Sequence, residues 1–430
     1  MLKSRIRPVA SALALAAMTA AGAAVIAAPA VAAQDKGEAP KPPKPSKKAA
    51  KSLSEIQKAL GEKDFATVKA KIAELESKGE LTEEDMYFIS NFKFQAAADT
   101  QDNALLEQAL EQMAANKYTS STEVPKIRNN LIALAIQAEN YPKAIQRSKE
   151  ALAADPNNVE TMLNMGRIYY QQDDYANAGA TFRQAVDTAK RLGQPVEESV
   201  YKLIAQSAIQ SNDNAAVQSA MLELVRNYPN ATNWRDALVL YRSQQGITDP
   251  MILDSYRLQW VNNALEGQRE YIEMAELAMK RGLPAEAKAV LEKGMAANVF
   301  DSAKALANET LTSARTRAAA DIKELPSLEA EARSGKTGDL AAATVGQGYL
   351  SHGNYAKAVE FYKLGLDKGV KNKDEVTLQY GIALVGAGRA QEALTAFQSV
   401  GGNLKPLADL WAAHAENVAQ GGAPAASGQQ

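Results

Sequence analysis

The fold is decided by residues 159–178, which read VETMLNMGRIYYQQDDYANA. A small residue, Gly166, stands at the eighth place of this stretch, and another, Ala178, stands at the twentieth. An aromatic residue, Tyr169, stands between them at the eleventh place. Apolar side chains recur at the three- and four-residue intervals of a helix. The stretch therefore predicts helical structure, and its pattern recurs elsewhere in the chain.

Residues 125–158, directly before this stretch, repeat the same spacing. The matching places of that unit hold Leu131, Ala135, Tyr141, Ala144 and Ala151. The two units resemble the tetratricopeptide repeat, a helix–turn–helix unit of about 34 residues. The resemblance implies that the eighth and twentieth residues face each other where the two antiparallel helices cross. Small side chains at these places would let the two backbones approach.

Further units follow with weaker patterns. They lie at residues 198–231, 268–301, 339–372 and 374–407, and degenerate pairs fill 52–79, 81–115 and 231–263. No single helix pair can bury its apolar face, so the stacking of neighbouring pairs makes the core. The resemblance implies an all-α fold, a right-handed α-solenoid of about nine antiparallel helix pairs without a β-sheet.

Two blocks of repeats are predicted, in residues 53–301 and in residues 339–420. The second block is expected to end in a capping helix that contains Trp411, since solenoids need a terminal cap. Residues 302–338 between the blocks are helical in pattern, but Pro326 and Gly335 interrupt them. We predict an irregular helical segment there, either a long helix pair or a hinge.

The two ends of the chain differ in composition from the body. Residues 1–33 have a basic start, an alanine-rich apolar run and a small-residue cleavage site, which predicts a signal peptide and a periplasmic protein. An uncleaved membrane anchor is the alternative. Residues 34–52 are rich in proline and lysine, which predicts a disordered linker that could touch anionic envelope polymer. Residues 421–430 have the composition of a disordered tail.

The composition argues against several classes of chemistry. The net charge of −2 gives no basic footprint for nucleic acid, and the lack of cysteine excludes disulfides and thiolate metal ligands. The two histidines, His352 and His414, have no metal-ligand spacing. We therefore predict no catalytic residue, no metal and no cofactor. The enzymatic alternative is a helical lytic transglycosylase, but Glu76-Ser77 and Glu198-Ser199 lack the Gly-Leu-Met-Gln that soon follows the catalytic Glu-Ser of that family.

The resemblance also implies a binding groove, lined by the first helix of each pair. The side chains that would point into it are Asn129, Leu163, Arg167, Tyr170, Gln171, Lys202, Gln206 and Gln347. Amide, basic and aromatic groups suit an extended peptide, whose backbone needs hydrogen-bond donors and acceptors. The lysine–asparagine carboxylate clamp of some members is not matched, because the fifth and ninth places of the first good unit hold Asn129 and Ala133.

These observations predict a non-enzymatic, periplasmic scaffold that binds peptide segments of other envelope proteins, in assembly or export. The alternative is a protein that binds cell-wall polymer or glycan through the groove. Stacked tyrosines along the groove would favour the glycan, and Tyr170 is the one tyrosine that clearly sits there. After signal cleavage no membrane-spanning segment is expected.

Overall fold

The computed structural model describes residues 43–421. The predicted signal peptide, the first part of the linker and nearly all of the predicted tail lie outside the described residues. Between residues 43 and 421 the secondary structure is helical and contains no strand, which confirms the all-α prediction. The chain divides into two compact units, Met1–Ala153 and Ala154–Gln430.

In its described part, the first unit consists of three antiparallel helix pairs. Its helices are α1 (Ala50–Gly61), α2 (Phe65–Ser77), α3 (Glu83–Thr100), α4 (Asn103–Ala115), α5 (Val124–Gln137) and α6 (Tyr141–Ala154). Polar residues start these helices: the Asp64 carboxylate caps α2, and Thr82 forms a capping box with Asp85 on α3. Apolar residues at helical spacing, such as Leu53 and Ile56 of α1, are fully buried.

The linker is shorter than the sequence predicts. The Ser46 backbone N–H donates to Asp85 Oδ1 at 2.8 Å, and Ala49 is only 1% exposed. Residues 46–49 therefore pack against α3, and α1 already begins at Ala50. The sequence predicts a linker up to residue 52 because Lys47, Lys48 and Lys51 continue its lysine-rich composition. The contact that orders residues 46–49 comes from Asp85, which is distant in the sequence.

The second unit begins with four further helix pairs and continues through a single long helix to two more pairs and a last helix. Its helices are α7 (Val159–Gln171), α8 (Tyr175–Arg191), α9 (Glu198–Gln210), α10 (Asn214–Asn227), α11 (Ala231–Arg242), α12 (Asp249–Val261), α13 (Gly267–Lys280), α14 (Pro284–Ala296), α15 (Lys304–Ser334), α16 (Gln347–Ser351), α17 (Tyr355–Lys368), α18 (Lys373–Gly386), α19 (Ala390–Gln398) and α20 (Lys405–Ala419). A seven-residue π-helix, Leu340–Gly346, runs directly into α16. With the three pairs of the first unit, the described residues contain about nine helix pairs, as the resemblance implied.

The glycine at the eighth place of a repeat makes room for an aromatic ring sixteen residues later. A Cβ atom on Gly166 would lie 2.6 Å from the ring of Phe182. The same relation joins Gly346 to Tyr362 and Gly381 to Phe397, with distances of 3.1 and 2.4 Å. The sequence analysis gave close approach of the eighth and twentieth residues as the reason for the small residue. The atoms nearest to Gly166 belong instead to the ring at the twenty-fourth place.

We expect Gly166→Leu to destabilise the second unit by about 1–3 kcal/mol, because the new side chain overlaps the buried Phe182 ring. Ala178→Leu should have a similar effect, since Ala178 is fully buried. Urea unfolding measures both changes. Gly61→Leu is the matched control, because Gly61 is also helical and a Cβ there meets nothing within 4 Å. An equal cost for Gly61→Leu and Gly166→Leu would contradict the role of the ring.

The segment 302–338, predicted to be irregular, is mostly one continuous helix. Helix α15 has 31 residues and is about 46 Å long at 1.5 Å per residue. Pro326 lies inside it without ending it. Its buried residues form a narrow stripe of about one per turn, Ala307, Leu311, Ala314, Ala318, Leu325 and Ala332. The spacing of small residues that marks the repeats is missing here because α15 is a single helix between two sets of pairs and not half of a pair.

A close backbone crossing follows the long helix. A Cβ on Gly338 would lie 1.9 Å from the carbonyl oxygen of Gly365, and a Cβ on Gly365 would lie 2.6 Å from the side chain of Ala342. The Gly338 N–H donates to the Gly369 carbonyl at 2.9 Å. No side chain fits at this crossing, so the two glycines allow α17 to pack on the π-helix.

Helix α20 is more than the terminal cap that the sequence predicted. It packs on α19, on α18 and also on α10 and α12, which lie far earlier in the chain. The Trp411 indole N–H donates to the Asp254 carbonyl oxygen at 3.2 Å, and Arg226 forms an ion pair with Glu416 at 3.0 Å. The C-terminal repeats therefore return to the middle of the second unit and close on it.

Helix α12 becomes the centre of the second unit as a result. It packs against α11, α13 and α20, and eight of its residues are buried. Four of these are polar: Asp254, Ser255, Arg257 and Gln259. Because the helix is enclosed on several sides, it shows no single apolar stripe, which explains why its place in the fold could not be read from periodicity.

Candidate binding surface and buried polar cluster

The predicted groove residues of the second unit lie mainly on α7 and α9, the first helices of two consecutive pairs. Arg167 is exposed, and its Nη1 donates to Asn164 Oδ1 at 2.9 Å. Tyr170 is half-buried and meets the Tyr175 ring edge-on, with centroids 5.1 Å apart. Leu163 is half-buried against the core. Helix α7 thus presents one cation and partly exposed apolar side chains.

Helix α9 adds polar groups. Lys202 is exposed, and its Nζ lies 2.7 Å from Glu198 Oε1. The hydrogen bond from Lys202, together with a second one from Asn233, holds the pKa of Glu198 below its usual value. The charge of Lys202 is therefore largely offset by its neighbour. Gln206 on α9 and Gln171 on α7 are both exposed amides.

Two apolar residues on this side escaped the sequence analysis. Ile209 is 38% exposed, and it occupies the twelfth place of its repeat, the place that Tyr170 occupies in the preceding one. Val239 on α11 is 41% exposed. A comparison of the twelfth place in successive repeats would have identified Ile209 from the sequence. We define the α7–α9 surface as Leu163, Arg167, Tyr170, Gln171, Lys202, Gln206 and Ile209.

The other two predicted groove residues do not belong to the α7–α9 surface. Asn129 lies on α5 in the first unit and is half-buried. Gln347 is only 7% exposed, and its amide nitrogen donates to Gln379 Oε1 at 3.0 Å. A ligand on the surface cannot reach the Gln347 amide without breaking this contact. Gln347 occupies a groove place by spacing, but packing of the C-terminal repeats covers it.

The strongest electrostatic feature is a buried cluster around α12, which the sequence analysis did not find. Arg257 donates from Nε and Nη2 to the two oxygens of Glu286 at 2.7 and 2.6 Å. Its Nη1 donates to Asp254 Oδ1 at 2.6 Å. Burial raises the pKa of Asp254 despite this contact. Burial alone would lower the pKa of Arg257, yet the carboxylates raise it above its usual value.

This cluster is enclosed rather than open to a substrate. Arg257 and Asp254 are only 6% and 1% exposed. Asp254 Oδ2 and the hydroxyl of the fully buried Tyr362 have no hydrogen-bond partner. The Glu286 backbone N–H donates to Ser351 Oγ at 3.0 Å, which links α14 to α16. The cluster therefore joins α12 and α14 to the C-terminal repeats.

The two histidines take packing and surface roles. His414 lies between Trp234 and Trp411 with edge-on ring contacts, and its Nδ1 is 3.0 Å from Asn262 Oδ1. Burial lowers the pKa of His414 to about 4, so the ring is neutral at neutral pH. His352 Nε2 contacts Asp321 Oδ2 at 2.7 Å. Within residues 43–421 no His, Asp and Glu side chains form a group that could hold a metal ion.

Comparison with known proteins finds a family model that one part of the chain matches. Residues 135–192, which contain α6, α7 and α8, match the family model described as tetratricopeptide repeat. No curated protein matches the chain. Over the described part of the chain, no helix is both long and apolar enough to cross a membrane.

Several solved structures resemble the chain at low identity. The C-terminal part of a TPR repeat-containing protein from Cytophaga hutchinsonii is 11% identical, covering 75% of this chain and 98% of that chain with a TM-score of 0.29. A tetratricopeptide repeat protein from Parabacteroides merdae is 13% identical, covering 79% and 100% with a TM-score of 0.27. The TPR2AB domain of yeast Sti1, solved as a pHSP90 complex, is 10% identical, covering 70% and 96% with a TM-score of 0.25.

Proposed function

We propose that the chain is a non-enzymatic scaffold that holds peptide segments of other proteins, because residues 135–192 match the tetratricopeptide repeat model. The observation that carries the proposal is the α7–α9 surface. Tyr170 and Ile209 stand at the same place of successive repeats, so the first helices of two consecutive pairs offer apolar contact area beside exposed amides. An extended peptide needs this combination of apolar contacts and hydrogen-bonding groups.

The charged groups of the surface favour a peptide that carries an acidic residue. Lys202 is paired with Glu198, whereas the Arg167 guanidinium donates to the neutral amide of Asn164. An incoming carboxylate would gain a charge-assisted hydrogen bond from Arg167 without displacing an acidic neighbour. Ile209 is aliphatic, and the Tyr170 and Tyr175 rings meet edge-on instead of forming a stacked row, which supports a peptide over a glycan.

The proposed location is the periplasm, and the proposed partners are proteins of the cell envelope, in assembly or export. Both rest on the composition of residues 1–33, which predicts an exported chain. The absence of enzymatic activity is also part of the proposal. It is supported by the enclosure of two ionisable groups with shifted pKa values, Asp254 and Arg257, in the core.

We expect the double change Arg167→Ala and Tyr170→Ala to weaken peptide binding by more than about tenfold, because arginine and tyrosine are typical binding anchors. A random-peptide display library selected on the chain lacking residues 1–33 would supply the probe. Isothermal titration of the selected peptide then measures the affinity of each variant. Both residues are at least partly exposed, so the melting temperature should change little.

Two controls separate the surface from other parts of the chain. Arg315→Ala removes an exposed arginine on α15, whose ion pair with Glu292 lies at the surface, and it should leave affinity unchanged. Deletion of residues 34–45 tests the basic linker. If the double change keeps full affinity while the deletion abolishes it, the linker binds the peptide and the proposed surface is wrong.

A further inference from the structure

A cavity of about 400 Å³ lies between α10, α11 and the start of α20. This is within the range of about 300–1,000 Å³ typical of small-ligand sites. None of the α7–α9 surface residues and none of the charged residues around Arg257 lines it. The large apolar residues of its wall are aliphatic or proline: Val217, Met221, Leu222, Leu240, Pro406 and Leu410. The cavity exists because the C-terminal helix returns to the middle of the unit.

One edge of the cavity carries a pair of amides. Gln218 Nε2 donates to Gln244 Oε1 at 2.7 Å, and both side chains line the cavity. This bond occupies one donor of Gln218 and one acceptor site of Gln244. The side-chain oxygen of Gln218 remains an acceptor for a ligand, and the side-chain nitrogen of Gln244 remains a donor. These two groups complement the N–H and C=O of a peptide bond.

A buried tyrosine also belongs to the wall. Tyr241 lines the cavity and is only 3% exposed. Its hydroxyl oxygen has almost no accessible surface and no hydrogen-bond partner, so a ligand in the cavity does not reach it. Tyr241 therefore adds ring surface to the wall and no hydrogen-bonding group.

The charges of the lining cancel. Lys405 and Asp409 both line the cavity and form an ion pair with each other across one turn of α20. No other ionised side chain contributes to the wall. An ion would therefore have to break this pair to gain a partner, whereas an uncharged ligand leaves it intact. Aliphatic walls, paired amides and zero net charge together describe an uncharged peptide group that bears an aliphatic side chain.

We propose that the cavity between α10, α11 and α20 is a second binding site, which accepts a leucine-like side chain of an uncharged peptide segment. The aliphatic wall buries the side chain, and Gln218 and Gln244 hydrogen-bond the peptide groups beside it. The site is independent of the α7–α9 surface. Because its walls come from both the middle and the end of the unit, the ligand stabilises the closed arrangement.

The probe is N-acetyl-leucine methylamide, titrated into the chain lacking residues 1–33 and followed by saturation-transfer NMR. We expect a Kd on the order of millimolar for so small a ligand. N-acetyl-alanine methylamide should bind more than about tenfold more weakly, because it buries three fewer carbon atoms. The charged probes N-acetyl-glutamate methylamide and N-acetyl-lysine methylamide should not bind detectably.

Two tryptophan substitutions locate the binding. Leu222→Trp fills the cavity from a half-buried position and should abolish binding of the leucine probe. Val239→Trp lies on the neighbouring helix outside the cavity, and it should leave binding unchanged. Gln244→Leu should weaken binding about fivefold to tenfold through loss of a hydrogen bond from the amide pair. Melting temperatures confirm that each variant is folded.

The proposal would be overturned if the leucine probe did not bind at 20-fold the expected Kd, a concentration on the order of tens of millimolar. Unchanged binding by a folded Leu222→Trp variant would overturn it too, and so would equal binding of a charged probe. Loss of binding in Val239→Trp alone would move the site to the exposed side of α11 and would also overturn it. The Arg167→Ala and Tyr170→Ala variant should bind the leucine probe normally. Failure at the cavity is thus distinguishable from failure at the α7–α9 surface.

Discussion

Replacing Arg257 by methionine is expected to destabilise the second unit by about 3–5 kcal/mol. The change removes the cation that three hydrogen bonds join to Glu286 and Asp254, and it leaves both carboxyl groups in the core. Asp254, which is 1% exposed, and the mostly buried Glu286 then lack their cation, and uncompensated charge in the core makes the loss large. Urea unfolding followed by tryptophan fluorescence measures the loss, because all three tryptophans of the chain lie in this unit.

The same substitution at Arg226 is the matched control. Arg226 pairs with Glu416 through an exposed contact, so Arg226→Met should cost at most about 1 kcal/mol. Adding Asp254→Leu and Glu286→Met to Arg257→Met should restore much of the stability, since an apolar replacement of a whole buried ion cluster is often tolerated. Equal costs for the two single changes would show that the carboxylates around Arg257 are solvated.

Trp411→Ala is expected to cost about 3–5 kcal/mol, the range for a large buried aromatic. The side chain is 1% exposed, stacks on Phe397 with centroids 6.1 Å apart, and donates its N–H to Asp254. Its loss removes contacts to the last repeat and to α12 at the same time. We expect hydrogen exchange to become faster both in α20 and in α10, which packs on it.

Trp260→Ala provides the comparison within the same unit. Trp260 is half-buried at the end of α12, and the Lys293 ammonium lies 4.2 Å from its ring centroid. Its removal should cost less than half as much and should leave exchange in α20 unchanged. If Trp411→Ala accelerates exchange in α20 but not in α10, then α20 acts as a simple end cap, as the sequence predicted.

The helix pairs could be predicted from the sequence because each is encoded locally. A glycine at the eighth place and an aromatic ring sixteen residues later, as in Gly166 and Phe182, recur with a spacing that the eye can follow. The turn residues and caps between the helices, such as Asp174 before α8, are also local. The sequence analysis found the small residues at the eighth and twentieth places of the strong units, and the weak units followed from their spacing.

The closure of the second unit could not be predicted, because it depends on contacts between distant residues. Trp411 and Asp254 are 157 positions apart, and nothing in either neighbourhood marks them as partners. Helix α12 gave no periodic signal because it is buried on several sides and carries Asp254 and Arg257 in its core-facing positions. Helix α15 gave only a weak periodic signal, because only a narrow stripe of the helix is buried.

The candidate surface was predicted in part. Arg167 and Tyr170 lie on α7 at places that leave them accessible, because the spacing within one repeat fixes which side of a helix faces the core. Gln347 has an equivalent place but is covered, since accessibility depends on what packs above it. The buried cluster around Arg257 could not be predicted for the same reason. Its members lie on α12 and α14, and they contact one another only once the two helices have packed together.

The return of α20 to α10 and α12 also determines when this unit can finish folding during synthesis. Most repeat arrays gain stability one neighbour at a time as the chain emerges. Here Arg226 contacts Glu416 and Trp234 contacts His414, so these contacts form only after nearly two hundred further residues have been synthesised. Until the last helix arrives, α10 and α12 expose the faces that it covers. A ribosome that stalls before residue 405 therefore leaves the whole middle of the unit incomplete, rather than an array one repeat shorter.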